Sequence, residues 1–145
     1  MPKNSTSREL LGEMYRNVTM GSENLASVVS KISEKAMLTG VTTQLEGYAD
    51  FTKRTEQLMQ EQSMTPKKPS KMKKLMARSG IMMGTMFDSS DGHIADMIIK
   101  GTQMGADELE VSLITLDSAD QAAKSLCREI VDFERSQAEK MREFT

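Results

Sequence analysis

A chain of 145 residues can bury a hydrophobic core without covalent staples, and its single cysteine leaves no disulfide framework to consider. With a net charge of -2 at pH 7, no Trp and 4% aromatic residues, it lacks the positive field and the stacking surface of a nucleic-acid binder. No charged segment followed by an apolar run opens the chain, and no apolar run nears the roughly 20 residues of a membrane span, so the expectation is a protein neither exported by a standard signal nor membrane-spanning. Cys127 lies among Ala123, Leu126 and Ile130 at helical spacing. It reads as a reduced core thiol, which favours a cytoplasmic protein. Fourteen Met, three Pro and the absence of strand patterns point to an all-α chain.

Leu11, Met14, Val18, Gly21, Leu25, Val28 and Ile32 recur at alternating spacings of three and four, which predicts one amphipathic helix from about Ser7 to Lys35. Gly40 reads as its C-terminal stop. Val41, Leu45, Tyr48, Thr52, Thr55 and Met59 then mark a second helix to about Gln62, and the short link makes the pair an antiparallel hairpin. Pro66 and Pro69 break the pattern, after which Ser70 can cap a helix to about Phe87. In that segment Met72, Leu75, Met76, Met82, Met83, Met86 and Phe87 share one arc, and Lys71, Lys73, Lys74 and Arg78 lie outside it. This basic, Met-rich helix is expected to cover the bundle. The alternatives are a partner or dimer surface, a membrane surface, or a soft-metal site for Cu(I).

A further helix should start near Asp88 to Asp91, carry Ile94, Ile98, Gly101, Gly105 and Leu109 inward, and end around Leu116. Asp117 or Ser118 then caps the last helix, whose stripe is Ala119, Ala123, Leu126, Ile130, Phe133, Gln137 and Met141. The organisation expected is one helical-bundle domain over 1–145, with hairpins at 7–62 and 89–143 and a crossover at 63–88.

The two hairpins echo one another. Arg16-Asn17-Val18-Thr19-Met20-Gly21-Ser22-Glu23-Asn24-Leu25 is answered by Lys100-Gly101-Thr102-Gln103-Met104-Gly105-Ala106-Asp107-Glu108-Leu109, an offset of 84 (105 − 21). Asp50-Phe51-Thr52-Lys53 and Met59 are answered by Asp132-Phe133-Glu134-Arg135 and Met141, an offset of 82 (132 − 50). A duplicated hairpin with a turn two residues shorter in its second copy gives such a shift. Pseudo-symmetry also lets the second and third long helices run parallel. Their link then has to travel the length of the bundle, and a helix of eighteen residues supplies about 27 Å of it.

The echo singles out side chains. Asp50 and Asp132 would be symmetry partners, as a dinuclear metal site requires, and Glu23 and Asp107 are a second such pair. The plainer alternative puts these acids at a partly solvated boundary, bonded to Lys or Arg. His93 and Asp96 stand three apart, a spacing for two adjacent ligands, or for acids and a polar group at a helix N-terminus. Gly21 and Gly105 each cost about 1 kcal/mol relative to Ala, so each needs a reason: close approach of two helices near the two-fold axis, or room for a small molecule or ion. No Ser/His/Asp set, Cys/His pair, phosphate-cradling loop or Cys-x-x-Cys supports hydrolytic or nucleotide-dependent chemistry.

The duplicated hairpins, the long crossover and the run His93-Ile94-Ala95-Asp96-Met97-Ile98-Ile99-Lys100-Gly101-Thr102-Gln103-Met104-Gly105 resemble a ferritin-like four-helix bundle, and more narrowly small bacterial ferritin-like proteins of uncharacterised function. That resemblance implies iron or manganese bound by a Glu from each of two helices and a Glu-x-x-His from each of the others. The chain departs from this. Glu46 is followed three residues later by Ala49, Glu129 by Asp132, and there is one His in all. The expected function is therefore a non-catalytic binding or interaction protein, as a homo-oligomer or with a protein or small-molecule partner. The alternatives are a carboxylate-bridged iron or manganese storage protein or oxidoreductase, and a membrane-surface or partner protein acting through the basic helix 70–87.

Overall fold

A computed structural model of the chain describes residues 5–66 and 90–145. These form four long helices, α1 (Ser5–Val28), α2 (Lys35–Glu61), α3 (Asp91–Thr115) and α4 (Gln121–Met141), with single 3-10 turns at Val29–Lys31 and Arg142–Phe144. The predicted stripes face inward for a physical reason: each fully buried Leu, Ile or Met side chain contributes roughly 1.5–3 kcal/mol. Leu11, Met14, Val18, Leu25 and Val28 of α1 are buried, as are Val41, Tyr48, Thr55 and Met59 of α2, Ile94, Ile98 and Leu109 of α3, and Ala123, Leu126, Ile130 and Met141 of α4. Cys127 is buried among them as a free thiol, and burial pushes its pKa up to about 12.

The helices form a ring in which α1 packs on α2 and α3, and α4 packs on α3 and α2. Contacts at the ends fix their directions. At one end, the start of α1 and the end of α2 meet the start of α4, because Asp120 N–H donates to Ser7 Oγ (2.6 Å) and Gln62 Nε2 donates to Asp120 Oδ2 (3.1 Å). At the other, the start of α3 meets the start of α2. Neighbouring helices are thus antiparallel, and the diagonal pair α2 and α3 run in the same direction. The first hairpin's link, 29–34, is one residue longer than the second's, 116–120, the direction that the shift in the echo requires. The Met-rich helix expected over 70–87, and the crossover after residue 66, lie outside the described residues.

Two predicted boundaries are corrected. The first helix ends at Val28 instead of near Lys35, and Gly40 lies inside α2 instead of stopping α1. The cause is distant in sequence. Asp91 accepts the N–H of Ser33 at Oδ1 (2.9 Å) and that of Glu34 at Oδ2 (2.7 Å), satisfying backbone donors at the start of α2. Likewise the N-cap of α4 is Asp120 instead of Asp117 or Ser118. Its position is held by the bonds to Ser7 and Gln62 across the end of the bundle. The end of α2 matches expectation. Ser63 adopts a left-handed φ of 56°, donating to Gln60 O (2.9 Å) while Met64 N–H donates to Met59 O (2.8 Å), a Schellman cap built on a serine.

Candidate functional site

Of the five acids singled out in the sequence, three are paired with Arg or Lys. Asp50 is exposed and pairs with Arg54 (3.7 Å), which also binds Glu129 (2.8 Å). Asp132 is exposed and Glu23 half-buried. Asp107 is held by Arg135 (3.0 Å) together with Glu110 (2.8 Å), and Asp96 pairs with Lys100 (3.0 Å). His93 is half-buried in the first turn of α3, where its N–H donates to Ser90 Oγ (3.4 Å). Among the described residues, no three His, Cys, Asp or Glu side chains gather where they could hold a metal ion.

What the helices bring together is a different set, and each helix contributes to it. Tyr48 of α2, 1% exposed, donates its hydroxyl to Glu134 Oε2 of α4 at 2.7 Å. Glu134 is also 1% exposed. Asn17 of α1 donates from Nδ2 to the Gly105 carbonyl of α3 at 3.0 Å. Gln44 of α2, fully buried, donates from Nε2 to Thr102 Oγ1 of α3 at 3.1 Å. Edge-to-face packing of Phe133 on Tyr48 and Phe51, with centroids 5.5 and 5.2 Å apart, holds the phenol in place.

The two echo glycines serve this cluster. A Cβ on Gly21 would lie 2.7 Å from Tyr48 Cζ, and one on Gly105 would lie 2.9 Å from Asn17 Nδ2 and 3.1 Å from Glu134 Oε2. Each glycine therefore makes room for polar or aromatic side chains crossing the core. In both cases the nearest atoms belong to side chains and not to another helix's backbone.

Burial dominates the electrostatics. Removal from water pushes the Glu134 carboxyl up to about 7, against the hydrogen bonds from Tyr48 and Asn17, which favour its charged form; Glu108 adds to the rise and Arg135 opposes it. Tyr48 is raised well above 10, first by burial and then by the neighbouring Glu134. Three acceptor atoms in the cluster have no hydrogen-bond partner: Asn17 Oδ1, Gln44 Oε1 and Glu134 Oε1. Buried lone pairs left in this way are exceptional in folded proteins.

Above the cluster, a cavity of about 560 Å³ opens between α1 and α3. Leu25, Val28, Ile94, Ile98 and Leu109 give it apolar walls, and Asn17, Tyr48, Thr102 and Glu134 also line it. Gly21 and Gly105 border it too, as does Gly101, which is exposed, contrary to its expected inward place, and has open space where a Cβ would project. Comparison of the chain with protein-family models, curated proteins and solved structures finds no match.

Glu134 and Asn17 were not among the residues the sequence pointed to, although one signal was present. Ile130, Glu134, Gln137 and Met141 follow at spacings of four, three and four, which puts a carboxylate on the apolar stripe of α4. Glu is almost never fully buried unless paired, so such a placement marks a partner across the core.

Proposed function

We propose that this chain is a ferritin-like bundle without di-iron chemistry, which works as a binding protein and takes a small, largely apolar molecule between α1 and α3. The observation that carries the proposal is the cavity of about 560 Å³, which falls in the range of ligand pockets and combines apolar walls with a few convergent polar groups. Two antiparallel hairpins whose inner helices α2 and α3 run in the same direction support the ferritin-like assignment, because a long crossover joins such a pair. The donor set at the centre does not fit a di-iron site: of its side chains only Glu134 is a carboxylate, with a phenol, two amides and a hydroxyl around it. The buried thiol of Cys127 supports a reducing compartment such as the cytoplasm.

The test is a titration of the full chain with N-phenyl-1-naphthylamine, a neutral apolar dye whose emission rises on leaving water. Saturable binding to the wild type, with loss in Gly101→Phe, is expected, since a ring at residue 101 projects into open space at the cavity. Binding that survives this substitution unchanged, or none in the wild type, overturns the proposal. Light scattering beside it tests a second occupant: a dimer that the dye dissociates would give the groove to another copy of the chain.

A further inference from the structure

We infer that the molecule taken by this cavity carries a protonated amine, seated against Glu134 and Asn17 with its apolar part along the walls between α1 and α3. The inference rests on the binding function proposed above and specifies the head group. It follows from which buried polar atoms at the cavity lack a partner. Tyr48 Oη, Asn17 Nδ2 and Gln44 Nε2 each donate there, to Glu134, Gly105 O and Thr102 Oγ1. The buried atoms of the cluster without any partner are all acceptors, Asn17 Oδ1 and Glu134 Oε1 among the lining residues and Gln44 Oε1 outside them. A ligand that satisfies them has to donate, and an ammonium carries three donors and no acceptor.

Charge selects in the same direction. The cations lining the cavity, Arg16 and Lys100, are exposed and each has an acidic neighbour, Glu13 and Asp96, whereas the lining acid Glu134 is buried. Arg135, the other cation near Glu134, is held by Asp107 and Glu110. Glu108 of α3 lines the cavity and Glu134 lies at its floor, which leaves acidic groups facing the ligand. Burial keeps the Glu134 carboxyl near neutrality, so a cation beside it favours the carboxylate and gains a charge-assisted hydrogen bond.

The experiment is displacement of N-phenyl-1-naphthylamine from the full chain at pH 7.5 by decylamine and by decanoate, chains of equal length with opposite head groups. Decylamine should compete about tenfold or more tightly than decanoate, and Glu134→Gln, which keeps the shape and removes the charge, should shrink that ratio to about twofold. Decanoate competing as well as decylamine, or an undiminished preference in a Glu134→Gln variant that still binds the dye, overturns this inference and leaves the cavity function standing. Failure of the dye to bind the wild type overturns the two together. The wild-type comparison of amine with carboxylate stands without any variant.

Discussion

Thr52 and Glu134 occupy matching places in the two hairpins, each directly after a phenylalanine, and both bond to Tyr48. Thr52 turns its hydroxyl back on the Tyr48 carbonyl of its own helix at 2.7 Å, a local bond that any helical threonine can make. Glu134 reaches across the bundle to the Tyr48 hydroxyl, also at 2.7 Å, and is buried in doing so. The echo repeats a way of packing helices. The chemistry sits where it breaks, because a longer, ionisable side chain at one of two equivalent places draws Asn17, Tyr48 and Gly105 into a polar centre that the other copy does not have.

The widest effect should come from titrating that break. Glu134 holds its proton up to about pH 7 when folded, against an ordinary value of 4.5, so between those values the folded state binds more protons than the unfolded. This contribution to stability is fully present below about pH 4.5, falls as pH rises to 7 and then levels, by about 3 kcal/mol in all. Urea denaturation at pH 4.5 and pH 8 should show that loss in the wild type and not in Glu134→Gln; an equal loss in the two proteins would disconnect Glu134 from the pH dependence.

Next come the echo glycines. Gly21→Ala forces a methyl group against the Tyr48 ring and should cost about 1–3 kcal/mol of overpacking, more than the ~1 kcal/mol of helix propensity it recovers. Gly105→Ala meets the ends of the Asn17 and Glu134 side chains, which yield more readily, so it should cost less and should lower the midpoint of the Glu134 transition if the carboxyl is pushed toward water. Gly101→Ala meets nothing and should gain about 1 kcal/mol in a thermal melt. If all three behave alike, the cavity does not distinguish the glycines. At the end of α2, Ser63→Gly relieves a left-handed residue and should raise stability by up to about 1 kcal/mol, measured by urea midpoint. The smallest effect belongs to the part of the echo that lies on the surface. Asp50→Ala with Asp132→Ala should change stability by less than about 1 kcal/mol, and iron or manganese should shift the melting temperature of neither protein. A metal-dependent rise in the wild type that the double variant loses would restore the acids as ligands.

Much of the fold was legible. Alternating three- and four-residue spacings locate the stripes of all four described helices, and the stripe of α2 runs out at Gln62, its C-cap, since apolar periodicity is a local property of the chain. The start of α2 was not legible, because the carboxylate that satisfies Ser33 and Glu34 belongs to Asp91, more than fifty residues away. The site was harder still. Tyr48 was expected inward from its spacing, but nothing local says that its hydroxyl meets Glu134 instead of water. The exposed acids Asp50, Asp132 and Asp107 drew attention by repetition alone.

The sequence by itself determined that the chain folds as amphipathic helices in two similar hairpins, because burying an apolar stripe depends only on the period of the residues along it. Only the tertiary structure decided which polar side chains share the core. A hydrogen bond between Tyr48 and Glu134 requires α2 and α4 to stand side by side, in register, with Gly21 and Gly105 leaving the space. The echo of the two glycines was visible in the chain. That each accommodates a different part of one polar centre depends on distances no spacing along the sequence contains.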